Sequence, residues 1–187
     1  MGADLVRPFV IAAHGDLNAV KSMLAEHPDL LLVQFEWGPN DYEDGLGAAS
    51  HVGNSAIAEF FLSKGVPTTI CTAAMLGNYD EVKAFLDKDP SLANAKGAHG
   101  IALMFHAAMS GNLELLKLLK ARGCTQGYDD ALHGAIAHKH PDLVAWLLNN
   151  GATDINVQDF RGKTPLQSAQ ESGQPEVVEL LKAHGAA

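Results

Sequence analysis

The chain has 187 residues, and its 22 acidic and 13 basic side chains give a formal net charge of −9 at pH 7. Apolar residues make up 47% of the chain, a share typical of a folded domain that buries one substantial core. The acidic balance argues against binding to nucleic acid or to an anionic membrane surface, because both attract proteins rich in Lys and Arg.

The chain contains six copies of one pattern, in which a few small residues and a turn residue precede an amphipathic run. The small residues predict a short first helix, and apolar residues at i, i+3 and i+4 predict a second helix with one buried stripe. Helices this short cannot bury their apolar faces alone, so neighbouring pairs are expected to stack. In chain order the turn residues are Gly15, Gly53, Gly77, Gly111, Lys139 and Gly173.

The sixth copy carries the most specific motif. Its residues 159–166, Asp-Phe-Arg-Gly-Lys-Thr-Pro-Leu, resemble the turn and the Thr-Pro-Leu helix start of ankyrin repeats, and Leu132-His133 keeps the Leu-His pair of the same motif. The resemblance implies an all-α ankyrin-repeat solenoid of about six helix-turn-helix units with irregular β-hairpin fingers, forming one domain over residues 1–187. It also implies protein–protein recognition, since that is what members of this family most often do.

The six units differ in length. Successive turn residues are separated by 38, 24, 34, 28 and 34 residues, whereas ankyrin units average about 33. Both helices are present in every unit, so the shortfall is expected in the connections that follow Gly65 and Gly123, while segments 27–47 and 87–102 are full or extended. Missing fingers would open room for a ligand, although loops also tolerate deletion at little cost.

The most distinctive loop is residues 35–45, which combines three aromatic side chains with four carboxylates. Exposed Trp and Tyr commonly anchor contacts because they supply a large area at low rotamer cost. Alternatively, Phe35 and Trp37 fill the end of the stack, and the side chains of Met75 and Met109 cover core residues that the missing fingers leave uncovered. We expect a partner, either a protein, a peptide or a small ligand, to bind the concave face of repeats two to four through Glu36, Trp37, Tyr42, Asp44, His51, Met75, His106 and Met109.

The sequence contains no metal-binding or catalytic motif. His51 and His106 lie on first helices two units apart, roughly 20 Å by normal helix spacing, which is too far for shared zinc ligation. His99 is expected to be solvated in a loop. We therefore predict no metal and no cofactor. The alternative function is a metal-independent lyase, isomerase or hydrolase, in which His51 would act with a carboxylate of loop 36–44, Asp44 being the first choice.

Residues 1–8 lack the basic stretch and long apolar run of a secretory signal, and Gly2 is not followed by an acylation pattern. Cys71 and Cys124 cannot form a disulfide framework and fit a reducing compartment. These features predict a cytoplasmic protein without a membrane span.

Overall fold

Six helix pairs are stacked one after another in the computed structural model, which describes residues 3–187. The signal and acylation predictions fall partly on Met1 and Gly2, which lie outside the described residues. No helix within residues 3–187 is long and apolar enough to cross a membrane. The expected all-α solenoid of about six units is confirmed. The helix pairs are α1 (Ala3–Ala13) and α2 (Leu17–Glu26), α3 (Gly45–His51) and α4 (Ser55–Ser63), α5 (Ile70–Met75) and α6 (Tyr79–Lys88), α7 (Leu103–Met109) and α8 (Leu113–Ala121), α9 (Tyr128–Ala137) and α10 (Pro141–Asn150), and α11 (Pro165–Glu171) and α12 (Pro175–Ala183).

Side-chain caps explain why several helices begin where they do. The Asn54 side chain accepts a hydrogen bond from the Ile57 amide at the start of α4, and Asn112 caps α8 in the same way. Thr164 forms a reciprocal capping box with Gln167 at the start of α11. Such caps satisfy amides that have no partner within the helix, so in these units the capping residue sets the helix start.

The first finger is a β-hairpin formed by β1 (Gln34–Gly38) and β2 (Asp41–Asp44), which pair antiparallel. Its register places Phe35 opposite Glu43 and Glu36 opposite Tyr42. Because successive side chains of a strand point to opposite faces, the first pair faces the helices, and the second faces away from them. Short 3₁₀ turns at Pro28–Leu32, Pro90–Asn94 and Ala98–Gly100 complete the two long connections.

The two connections expected to be short contain no strand or helical turn. Residues 64–69 join α4 to α5, and residues 122–127 join α8 to α9. Fingers are therefore missing at the two places that the repeat spacing predicts.

The core is divided into two clusters of buried side chains. One runs through α5 to α12, and the other joins α1, α2, α3 and α4 to the hairpin. Met75 and Met109, which are 3% and 6% exposed, belong to the second cluster. The two methionines thus link the first two repeats to the units that follow.

Lys139 occupies the turn position that glycine holds in most other units, and its φ is +61°. An L-residue in this left-handed region is strained by roughly 1–2 kcal/mol, because Cβ approaches the backbone. We expect Lys139→Gly to stabilise the chain by about 1 kcal/mol, measured by urea denaturation. Lys64→Gly at the end of α4, where φ is −88°, is the control and should give no gain. Equal or lower stability of Lys139→Gly would contradict the prediction.

Candidate functional site

Glu43 is a carboxylate buried between the hairpin and the helices. Glu43 is 1% exposed and lies on the inward face of β2. The indole Nε1 of Trp37 donates a hydrogen bond to Oε2 of Glu43 at 2.8 Å. A buried charge needs partners, so other polar groups must surround this side chain.

Three histidines from three different segments approach this carboxylate. Nε2 of His51, at the end of α3, lies 3.0 Å from Oε1, and Nε2 of His99 lies 3.3 Å from the same oxygen. Nε2 of His14, just after α1, lies 3.6 Å from Oε2. We call Glu43, His14, His51 and His99 the Glu43 cluster.

In two of these rings, the nitrogen that does not face Glu43 already makes a hydrogen bond. Nδ1 of His14 lies 2.9 Å from the carbonyl oxygen of Val10, and Nδ1 of His99 lies 2.8 Å from Oδ2 of Asp41. Since a carbonyl and a carboxylate only accept hydrogen bonds, each Nδ1 carries the proton. In the neutral rings, the Nε2 lone pairs of His14 and His99 therefore face Glu43.

The electrostatic balance keeps Glu43 ionised. Burial by itself raises the pKa of Glu43, but the close contacts of His51 and Trp37, together with the positive charge that His14 carries when protonated, more than offset this, so the pKa lies below its ordinary value. A carboxylate is thus held charged inside the protein, with nitrogen atoms on several sides of it.

Three predicted contact residues take different roles. Glu36 and Tyr42 form the outward-facing pair of the hairpin, and Tyr42 is 52% exposed. A hydrogen bond to Glu36 and its charge raise the pKa of the Tyr42 phenol. Trp37 instead points inward, with its ring 4.8 Å from that of Phe35 and 5.8 Å from the guanidinium of Arg7.

Asp44 is not the partner of His51. Its Oδ1 accepts a hydrogen bond from the Gly47 amide at 2.7 Å and caps α3. The carboxylate beside His51 is that of Glu43, because strand alternation turns Glu43 inward and leaves Asp44 at the junction with α3.

Three further predicted contacts are buried, so they offer little surface to a protein partner. Met75, His106 and Met109 are 3%, 1% and 6% exposed. The methionines fill the space between helix pairs, and the His106 ring packs against Gly97, where a Cβ would lie 2.9 Å from Cε1 of His106. The expected contact face of repeats two to four is correspondingly reduced.

A cavity of about 400 Å³ lies where the finger between α4 and α5 is missing, and Glu43, Cys71 and His106 border it. Burial raises the pKa of Cys71 to about 12. Burial also lowers the pKa of His106 to about 4, outweighing the hydrogen bond to the Ala102 carbonyl. Both groups are thus neutral at pH 7, the opposite of an activated thiolate–imidazolium pair.

A larger cleft of about 730 Å³ adjoins the other short connection. We call it the finger-side groove; it lies between residues 96–102 and residues 158–161, and the first helices α7, α9 and α11 line it. Phe160, in the turn that precedes α11, is 96% exposed and borders the groove.

Sequence reasoning missed His14 and His99 and named Glu43 only among several possible carboxylates. The usable signal for His14 was its position directly before the first turn glycine, close to the place of His51, which lies two residues before Gly53 in the second unit. No pattern indicated His99, because it reaches Glu43 from a connection that lies 56 residues further along the chain.

Comparison with known proteins agrees with the stacked helix pairs. A family model described as ankyrin repeats (3 copies) matches residues 70–159 and residues 103–187, which together exceed half of the chain. The chain belongs to the ankyrin-repeat family. Ankyrin repeats are typically modules for protein interaction.

Relatives with curated names share the repeats but are much longer. The chain is 31% identical over 91% of its length to the BTB/POZ domain and ankyrin repeat-containing protein NPR1 of Malus hupehensis, and 29% identical over 92% of its length to the ankyrin repeat protein nuc-2 of Neurospora crassa. It spans 29% and 17% of those two proteins.

A solved ankyrin repeat domain from Acinetobacter baumannii AYE has a similar fold. The TM-score is 0.53 with 23% sequence identity, and the alignment covers 96% of this chain and 98% of the other. At this identity the likeness concerns the fold.

Proposed function

We propose that this chain is a recognition protein that binds an extended segment of a protein partner in the finger-side groove. The observation that carries the proposal is the groove itself, which lies where the connection 122–127 lacks a finger and which the exposed Phe160 flanks. We therefore propose repeats four to six as the binding site, rather than repeats two to four.

The groove offers both apolar contact and rigid walls. Phe105 and Ile136 line it, and Phe160 stands at its edge with the Arg161 guanidinium 5.3 Å from its ring centre. His133 Nε2 lies 2.9 Å from the carbonyl oxygen of Val157, which ties α9 to the connection between α10 and α11. An exposed aromatic beside a preformed cleft is the usual arrangement of an anchor residue.

The outward pair of the first finger extends the proposed surface. Glu36 and Tyr42 are both exposed and lie on the same face of the hairpin. We include them as contacts, with Glu36 favouring a cationic group on the partner. Trp37 is assigned to the interior rather than to the surface.

Selection of peptides from a display library against the immobilised chain tests the proposal. We expect the selected peptides to lose at least tenfold in affinity for Phe160→Ala, because loss of an exposed anchor costs about 1.4 kcal/mol or more. Tyr79→Ala is the matched control: Tyr79 is 36% exposed on α6, a second helix outside the groove. Peptides that bind Phe160→Ala as tightly as the parent chain would contradict the groove as the binding site.

Two broader assignments belong to the same proposal. We take residues 1–187 to act as one repeat domain, since adjoining helix pairs share buried side chains along the described chain. We place the protein in the cytoplasm, because Cys71 and Cys124 are both buried free thiols, as suits a reducing compartment.

A further inference from the structure

We propose that His14, Glu43 and His51 bind one divalent transition-metal ion of the zinc class. Two imidazole nitrogens and a carboxylate are a donor set that suits Zn²⁺ and its first-row neighbours. His51 and His106 lie too far apart in the repeat pattern to share an ion, but the structure brings His51 to His14, which is 37 residues away in the chain.

The spacing of the donor atoms matches one coordination sphere. The ligand atoms of His14, Glu43 and His51 all lie within 4.8 Å of one another. Ligands at about 2.0–2.1 Å from a tetrahedral ion are separated by about 3.3 Å. The distances of 3.0 Å from His51 Nε2 to Glu43 Oε1 and 3.6 Å from His14 Nε2 to Oε2 lie on either side of that value.

Two buried atoms of the set have no hydrogen-bond partner. Glu43 Oε1 and His51 Nε2 are only 3.0 Å apart, yet the geometry between them is not that of a hydrogen bond, and both remain unsatisfied. Leaving such atoms buried is costly. A cation between them would satisfy both at once.

The tautomer of His14 points to the same conclusion. Because Nδ1 of His14 donates to the Val10 carbonyl, its neutral ring directs the Nε2 lone pair towards Glu43 Oε2. A lone pair facing a carboxylate oxygen is unfavourable unless positive charge lies between them. Bound metal supplies that charge, and hydrogen bonding of the other ring nitrogen is how proteins orient such ligands.

The neighbouring groups would hold the ligands in place. Trp37 donates to Glu43 Oε2, which orients the carboxylate. Asp41 holds the ring of His99, whose Nε2 is 3.3 Å from Oε1. The three-ligand set leaves a coordination position for water or for His99.

Metal uptake by the chelator-treated, tag-free chain tests the assignment. After addition of Zn²⁺ and dialysis, we expect about one equivalent per chain, and Co²⁺ should give the visible absorption of a four- or five-coordinate site. Glu43→Gln keeps an acceptor for Trp37 but removes the charge, and it should lower Zn²⁺ affinity by about 100-fold or more, as should His51→Ala.

His184→Ala is the matched control. His184 also places Nδ1 2.9 Å from a carbonyl four residues earlier, that of Leu180, but it lies at the exposed end of the last helix. This variant should bind Zn²⁺ like the parent chain. Circular dichroism checks folding; should His51→Ala unfold, His14→Gln decides, because the His14 side chain is 30% exposed.

The competing explanation is an ion pair between Glu43 and protonated histidines without any metal. In that case Zn²⁺ would neither be retained nor raise the melting temperature, and the proposal would be overturned. Equal uptake by the parent chain and Glu43→Gln would overturn it as well, because the ion would then bind elsewhere.

Discussion

Phe61→Ala is expected to destabilise the chain by about 3–5 kcal/mol. Phe61 on α4 is fully buried, and its ring meets that of Phe9 edge to face at 6.0 Å. Removing such a side chain loses its burial energy and leaves a cavity. The stability change should appear as a lower midpoint in urea denaturation.

The same substitution should disturb the Glu43 cluster from a distance. The Phe61 ring fills the space above Gly45, where a Cβ would lie 2.3 Å from Cζ of the ring. Gly45 is the first residue of α3 and follows β2 directly, so a void there loosens the junction between Glu43 and His51. Zn²⁺ affinity should therefore fall in Phe61→Ala, although Phe61 belongs to no proposed ligand set.

The neighbouring Phe60 provides the control. It is half-buried, and the ammonium groups of Lys21 and Lys64 lie 5.5 Å and 5.3 Å from its ring centre. Phe60→Ala should cost about 1 kcal/mol, because less of its surface is removed from water. Equal losses for the two variants would refute the role assigned to Phe61.

Lowering the pH from 7.5 to 4 is expected to cost about 3 kcal/mol of stability through His106 alone. Burial holds the pKa of His106 at about 4 in the folded chain, whereas an unfolded histidine has a pKa of about 6.5. Between these values the unfolded state takes up the proton first, so stability rises with pH. The contribution is complete above pH 6.5 and is lost as pH falls towards 4.

Comparison with His106→Leu isolates this contribution. Titrations shared by both chains cancel in the difference between their stability curves, including that of His138, whose pKa burial also lowers. We expect the curve of His106→Leu to be flatter by about 3 kcal/mol over the same range. Parallel curves for the two proteins would exclude His106 as the source of acid sensitivity.

Much of the fold could be predicted because its determinants are local. Apolar residues at helical spacing, the turn residues and the Thr-Pro-Leu motif are each read within one unit, and the interval between turns located both short connections. Even Lys139 takes the left-handed conformation that its place in the pattern requires, with φ of +61°.

The candidate site was predictable only in part. The alternative function drawn from the sequence paired His51 with a carboxylate of loop 36–44, Asp44 being the first choice, and in the structure the carboxylate beside His51 is that of Glu43. The choice depends on hairpin register, since a shift of one residue reverses which side chains face inward. The sequence also left open whether Met75 and Met109 contact a partner or cover the core. Only the packing of neighbouring units decides whether an apolar side chain at these positions is buried.

Repetition within the amino-acid sequence by itself determined that this protein is a stack of helix pairs with two fingers missing, because each unit carries its own turn and apolar stripe. Only the tertiary structure decided what the stack brings together. His14 and His51 lie near the turns of two neighbouring units, whereas Glu43 and His99 come from connections outside the repeated pattern. The four residues meet because the first hairpin folds back over helices whose order the repeats had set. Contacts between residues so far apart depend on the whole path of the chain, which local periodicity does not encode.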